Sequence, residues 1–460
     1  MDNRLKASNN REVFEDYPVA KAVLTFCIPT VIGQLITLAY NLADTFYIGR
    51  VNNPYMVAAV SIIHPLYNIT VAIAALCGHS GSSLIARHLG VGKDEQAKKV
   101  SSFSFYSAVV IGGIFSLIVF LNMPWFLDFL GASENTYAYA KEYCMTVCVI
   151  GCIPTILSLT LCNIMRSVGL AKQAGFGISL GGVINMALDP LFMFVILPPG
   201  KEVVGAAIAT MISNIISLIY EFAIIYKNRD RMSLSFNPFI GLPTWEEIWD
   251  LISIGVPASF ASLLYDINNM LLMRFASSYN DLAAAALGIT MKVERFPLNI
   301  DIGIAQATGP LLGYNYSAKN YKRLNDLERF SLFLGVSIGL LSIVLYEIFA
   351  GPIISVFIKN PDTIAYGTRF IRARILATPL MFCCFYVKFY LQALGKGLEN
   401  LILGIARWAV VAIPILILFN TLFGLNGIVW AQVVADSFTG TVSLLVMNRY
   451  RKRFRKEYTL

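Results

Sequence analysis

The sequence predicts an all-α polytopic membrane protein: about twelve transmembrane helices in two six-helix lobes, related by a parallel internal repeat around a central cavity. Three observations lead there. Over 460 residues the mean hydropathy is +0.64, with 57% of residues hydrophobic and only 14% charged, outside the usual composition of soluble domains. Apolar runs long enough to cross a roughly 30 Å hydrocarbon core recur from residue 24 to residue 447. The two halves of the chain also resemble each other.

In order, the predicted spans are 24–48, 56–80, 101–122, 138–164, 173–197, 203–226, 247–273, 284–312, 328–358, 366–394, 400–423 and 425–447. The first segment, residues 1–22, is polar and mixed in charge and reads as a cytoplasmic lead-in rather than a cleaved signal. Residues 23–226 form the N-lobe, 227–246 a cytoplasmic linker, 247–448 the C-lobe and 449–460 a basic tail.

The formal charge is +8 and the pI about 9.0, a balance that also suits nucleic-acid binding. The placement of the basic residues decides against that partner. Lys and Arg collect in alternate links, as in RHLGVGKDEQAKK after the second span, YKNRDRM after the sixth and KNYKR after the eighth. This is the positive-inside pattern, and it places both termini in the cytoplasm of a multi-pass cell (inner) membrane protein. The tail RYRKRFRKEY suits a contact with anionic inner-leaflet lipids or a solvated end. Membrane lipids are thus an expected partner, and the protein is expected to be a monomer.

Eight cysteines all fall within or at the ends of predicted spans, where small apolar packing is the plain reading. No Gly-rich phosphate loop, HExxH or GxSxG occurs, so nothing points to an enzyme or a cofactor.

The internal repeat rests on four matches. FCIPTVIGQLITLAYNLADT is echoed by SIGVPASFASLLYDINNMLL, pairing Pro29 with Pro257 and Asn41 with Asn269. VAAVS (57–61) matches AAALG (284–288), MRSVGLAK (165–172) matches LQALGKGL (391–398), and GAAIATMISN (205–214) matches GIVWAQVVAD (427–436). Both lobes start from the inside, so their axis runs along the membrane normal, the arrangement of carriers that work by alternating access.

Ionisable side chains inside spans are functional candidates by default. Asp44 lies ~6 Å below the outer end of the first span, and Asp189 in the fifth and Thr210 in the sixth each lie ~10 Å deep, at 1.5 Å per residue. Asn185 precedes Asp189 by one turn and shares its face. Two carboxylates, an amide and a hydroxyl form a hard-oxygen site suited to a small cation or to protons shared between acids. Interhelical hydrogen bonding is the plainer role for Asn185 and Thr210 alone. Pro29 and Pro190 are positioned to bend the first and fifth helices beside these acids.

PTVIGQLITLAYNLADTFYIGR, GSSLIARHLGVGKDEQAKK, NIMRSVGL, NMALDPLFMF with GAAIAT, and LLGYNYSAKN together resemble the multidrug and toxic compound extrusion family of cation-coupled antiporters, from about residue 20 to 450. The resemblance implies a coupling site for H⁺ or Na⁺ at Asp44, Asn185, Asp189 and Thr210, with Tyr40 and Asn163 lining the same cavity and Pro29 as the bending proline. It also implies export of organic, cationic compounds. The chain departs from the family at Ser317-Ala318, where Gly-Ala is usual, and in the seventh helix. Where one branch carries a Glu about eight residues after the proline, this chain has Tyr265 and then Asp266.

The C-lobe is nonetheless rich in charge: Asp266, Lys292, Glu294, Arg295, Asp301, Lys388, Arg407 and Asp436 fall in predicted spans. Pairing among them is the plain expectation, with Lys292 and Arg295 beside Glu294. Asp266 and Glu294 are the candidates for holding a cationic substrate, assisted by aromatic faces. The alternatives are a lipid-linked oligosaccharide flippase, which calls for a cationic cavity, and a polytopic enzyme or receptor. Asp44 corresponds to about Leu272 in the second half, so only one lobe is expected to carry the cation site.

Overall fold

A computed structural model describes residues 8–51, 53–229 and 232–458. Residues 1–7 of the lead-in, Asp230 and Arg231 of the linker, and Thr459 and Leu460 of the tail lie outside the described residues, as does the side chain of Pro257.

Every element is helical. A short α1 (Ser8–Glu15) precedes α2 (Val19–Arg50), α3 (Pro54–Gly90), α4 (Asp94–Leu121) and the short α5 (Met123–Phe129). α6 (Glu134–Cys144) continues through a π-helical turn, Met145–Ile150, to α7 (Cys152–Ser167). α8 (Ala171–Leu191) ends in a second π turn, Phe192–Ile196, before α9 (Glu202–Asn228). Then come α10 (Trp245–Tyr279), α11 (Asp281–Ser317), α12 (Tyr321–Phe357), α13 (Pro361–Ile375), α14 (Thr378–Ala393) and α15 (Gly397–Ile405), and a π turn (Ala406–Ala412) leads into α16 (Ile413–Tyr458).

Among the described residues, seven helices are long and apolar enough to cross a membrane, or nine if two bent pairs each count once. The last of these, Gly397–Phe454, is two spans. Gly424 has φ +59° and breaks the helix, a left-handed conformation that glycine adopts without the Cβ penalty. The break falls between the predicted spans 400–423 and 425–447. With α10 and α11, 35 and 37 residues long, the predicted twelve are accounted for.

The helices outrun the apolar stretches because their caps sit in the polar links. Asn53, Asn280, Asn320 and Asn360 each accept a backbone N–H of the first turn with the side-chain oxygen, satisfying a donor that the helix itself leaves open.

Pro29 lies inside α2 and Pro190 at the end of α8, where the π turn begins, as spanning helices often accommodate proline. Two breaks between helices are sharp, 47° between Ile150 and Cys152 and 51° between Ile375 and Thr378. At the first, Gly151 N–H reaches back five residues to Thr146 O at 2.8 Å, the π-type register that commonly kinks helices. At the second, Pro379 lacks the N–H that would continue the ladder, and Thr378 Oγ1 donates to Ile375 O at 2.7 Å.

The chain divides into two compact units, Met1–Tyr17 with Ile28–Gly255, and Pro18–Cys27 with Val256–Leu460. The division inside α10 lies beyond the predicted linker 227–246, because that linker packs within the first unit. Ser101 Oγ donates to Ser235 O (3.0 Å), Ser102 Oγ to Asn237 O (2.9 Å) and Tyr106 OH to Phe236 O (3.0 Å). Asp94, at the start of α4, also receives both Arg11 of α1 and Ser233.

The first unit's core joins α3, α5, the π turn after α6 and α9 through Ile63, Leu66, Leu127, Cys148 and Ala207, with a second cluster of α3 and α7 around Cys77, Cys152 and Ile156. The second unit's core gathers Leu272, Leu287, Phe370, Leu416 and Ile428 from α10, α11, α13 and α16. All eight cysteines are buried thiols.

Candidate functional site

The site in the first unit depends on how closely α8 approaches α2 and α9. Small residues permit this. A Cβ on Gly175 would meet the Pro29 backbone oxygen at 2.4 Å, and one on Gly182 would meet Ile36 at 2.6 Å and the Tyr40 ring at 3.1 Å. On the α9 side, a Cβ on Gly181 would meet Ser217 Oγ at 2.3 Å. Small residues at spanning-helix contacts let backbones approach in this way. Pro29 thus abuts Gly175, and Tyr40 lies against α8 one turn before Asp44.

Asn185 and Asp189 are 2% and 0% exposed. The Asn185 amide nitrogen donates to Asp189 Oδ1 at 3.3 Å and to Thr210 Oγ1 at 3.3 Å. With both amide hydrogens directed at those partners, the carbonyl oxygen of Asn185 is left to accept. It has no donor, and neither do the buried oxygens Asp44 Oδ1 and Asp189 Oδ2. Asp44 and Asp189 interact electrostatically with each other, and both with Tyr40.

Three buried acceptor oxygens from two helices, none with a donor, have one chemical requirement: a positive charge or a proton. Asn185, Asp189 and Thr210 are thus joined by hydrogen bonds, and Asp44 and Tyr40 interact with Asp189 electrostatically. Among the described residues no group of three or more His, Cys, Asp or Glu gathers as a metal site. The donor set is carboxylate and amide oxygen, the hard chemistry of protons and alkali cations.

Asn163 is placed differently. Its amide nitrogen donates to Leu159 O at 2.8 Å, its oxygen accepts from Arg166 Nη1 at 3.0 Å, and its side chain packs on Gly78 of α3. It belongs to a second buried polar group that the sequence reading missed. Arg166 is 2% and Glu221 0% exposed. Ser158 Oγ donates to Glu221 Oε1 at 3.3 Å, and the two charges interact. An acid within the apolar stretch ISLIYEFAII was the available signal for Glu221. Arg166 follows an apolar run in the last turn of α7 and is nonetheless buried.

In the second unit, Glu294 is held by Arg374 of α13 through two bonds, 2.7 Å from Nε and 2.6 Å from Nη2. Its partner comes from 80 residues away and is neither Lys292 nor Arg295. A bidentate pair of this kind satisfies both carboxylate oxygens, which removes Glu294 as a free anchor for a cationic substrate. Asp266 is half-buried on α10. Asp436 accepts from Arg407 Nη2 at 2.8 Å and from Gln432 Nε2 at 2.6 Å. The Arg407 guanidinium also lies over Phe385 and Trp408, 4.7 and 4.5 Å from the ring centres.

Comparison with known proteins bears on both units. The MatE family profile matches residues 29–191 and 257–422, one stretch in each half. The multidrug export protein MepA of Staphylococcus haemolyticus (strain JCSC1435) is 29% identical over 440 residues, covering 96% of each chain. The protein of the same name from Staphylococcus aureus (strain MSSA476) is 28% identical over the same length and coverage. Among solved structures, one described as the outward-facing conformation of a multidrug resistance MATE family transporter of the MOP superfamily superposes with a TM-score of 0.92. It is 23% identical, over 98% of this chain and 99% of that one. A structure of MATE in the bent conformation gives 0.90 at 22% identity, over 98% and 100%.

Proposed function

Since the chain belongs to the MatE family, the multidrug and toxic compound extrusion transporters, we propose that it exports organic cations in exchange for H⁺ or Na⁺ by alternating access. It is a membrane transporter and not an enzyme. The relatives that match it over 96% of its length are named multidrug export proteins, which supports the substrate class. The observation that carries the coupling is the set of unsatisfied oxygens on Asp44, Asn185 and Asp189.

In this mechanism the cation binds between Asp44 and Asp189 from the outside and stabilises the conformation that releases substrate. Its loss to the cytoplasm resets the carrier. A ligand shifts such an equilibrium only by its differential affinity for the two states, and a site of two acids supplies that differential. Asn185 orients Asp189 and contributes its own oxygen, Thr210 fixes Asn185, and Tyr40 screens the pair. Pro29 is the point at which α2 changes shape as the site fills, because its missing N–H leaves one ladder bond unmade. The protein works as a monomer in the cell (inner) membrane, with both termini in the cytoplasm.

The test is made in proteoliposomes. Efflux of a fluorescent organic cation is followed under an imposed pH gradient with equal sodium, then under a sodium gradient at equal pH. One of the two should accelerate efflux at least about ten-fold over the no-gradient rate. Acceleration by neither would contradict antiport.

A further inference from the structure

The second unit contains a buried acid that has no place in the mechanism above. Asp301, in the middle of α11, is 0% exposed, and neither carboxylate oxygen has a hydrogen-bond partner. The other fully buried acids among the described residues, Asp189, Glu221, Glu328 and Asp436, each keep at least one partner. Asp301 keeps none.

The elements packed against α11 include α10, α12, α13 and α14, and the α2 thiol Cys27 donates to Ile304 O at 3.9 Å. α10 carries Asp266 and Arg274, and neither acts on Asp301. On α12 and α13, Arg374 pairs with Glu294, Arg372 with Glu347, and Glu328 with Arg451. Tyr346 OH donates to Val293 O. On α14, Lys388 lies over Phe389 and interacts with Arg407, and Tyr390 interacts electrostatically with Glu328. Among the described residues, the titratable side chain that interacts with Asp301 is the Cys383 thiol.

An ionised carboxylate with no donor and no counter-charge is not sustained in such surroundings, whereas the neutral acid is. Among the described residues, Asp301 belongs to no group of three or more His, Cys, Asp or Glu that could hold a metal ion. An ionisable group kept in a spanning helix against that cost is a functional group by default.

We infer that Asp301 is a second proton carrier, taking up a proton from the outer medium and releasing it to the cytoplasm once per transport cycle. The only bond made and broken is the carboxyl O–H, with water as proton donor on one side and acceptor on the other. The inference rests on the transporter reading and adds a titrating group to it. The site at Asp44 and Asp189 governs which conformational steps are allowed, and Asp301 adds one proton to each permitted cycle.

The experiment counts protons. In proteoliposomes with the membrane potential clamped at zero, equal sodium and a pH gradient of about one unit, each coupled proton multiplies the steady-state substrate gradient about ten-fold. Asp301→Asn should lower that gradient about ten-fold, and Asp301→Glu, which keeps a carboxyl, should preserve it. A wild-type gradient in the Asn variant, or equal loss in both variants, overturns the inference. Infrared spectroscopy at neutral pH supplies a readout that does not need an Asp301 variant. Protein carrying Asp44→Asn and Asp189→Asn should still show the carbonyl band of a protonated carboxyl, and absence of the band overturns the inference. Failure of the first-unit site is separable, because it appears as a full gradient in Asp189→Asn while Asp301→Asn still loses ten-fold.

Discussion

Asp189→Asn will abolish gradient-driven efflux, with the rate under either a pH or a sodium gradient falling about 100-fold, to the rate without a gradient. The amide is the same size as the acid, so packing at a position with 0% exposure is preserved and thermal unfolding should move little. What changes is charge. Asp189 Oδ2 is one of three buried oxygens without a donor, and an amide can neither carry a proton nor neutralise a cation there. The neighbours should grade below it. Asn185→Ala removes the donor to Asp189 and Thr210 and one of the oxygens, and should cost about ten-fold. Thr210→Val removes only an acceptor of the Asn185 amide and should cost about two- to three-fold. If Thr210→Val proves as damaging as Asp189→Asn, the ordering of roles is wrong.

The second large effect is on stability. Arg407→Met should destabilise the protein by about 3–5 kcal/mol, the usual consequence of stranding one member of a buried ion pair. Asp436 has a side chain only 1% exposed and would keep the Gln432 amide alone. The guanidinium also gives up its place over Phe385 and Trp408. Replacing Asp436 with Leu as well should restore most of the loss, since apolar substitutes for both partners are often neutral. Unfolding followed in detergent measures both variants, and additive losses in the double variant would contradict a coupled pair.

The corresponding region of the second half is built differently. In the register of the repeat, Thr210 corresponds to Gln432, Gly181 to Arg407 and Asp189 to Ile415. The oxygens of Asn185 and Asp189 thus have apolar counterparts in the second half. The counterpart of Asp44 is Leu272, 1% exposed within the apolar core of that unit.

Much of this was legible in the sequence for a physical reason. Depth along a spanning helix is fixed by a constant rise, and Asn185 and Asp189 share a face because they are four residues apart. Gly424 marked its own break. Contacts between distant elements were not legible in the same way. Nothing local to Glu294 announces Arg374, whereas Lys292 and Arg295 lie within a turn of it. The position of Arg166, at the end of an apolar run, reads as that of a cytoplasmic charge, yet its side chain is buried beside Asn163 and Glu221. Asn163 is implied by resemblance to line the same cavity, and its bonds to Leu159 O and Arg166 were not legible. The breaks at Gly151 and before Pro379 were not read from the sequence, because a π turn and the packing around a proline depend on contacts with other helices.

The most direct test of the proposed coupling site is efflux of a fluorescent organic cation from proteoliposomes containing the Asp44→Asn, Asp189→Asn double variant, driven in turn by a pH gradient and by a sodium gradient alongside wild type. Wild type should respond to one of the two gradients and the double variant to neither. Gradient-driven efflux by the double variant at the wild-type rate would contradict the assignment of the coupling cation to these carboxylates.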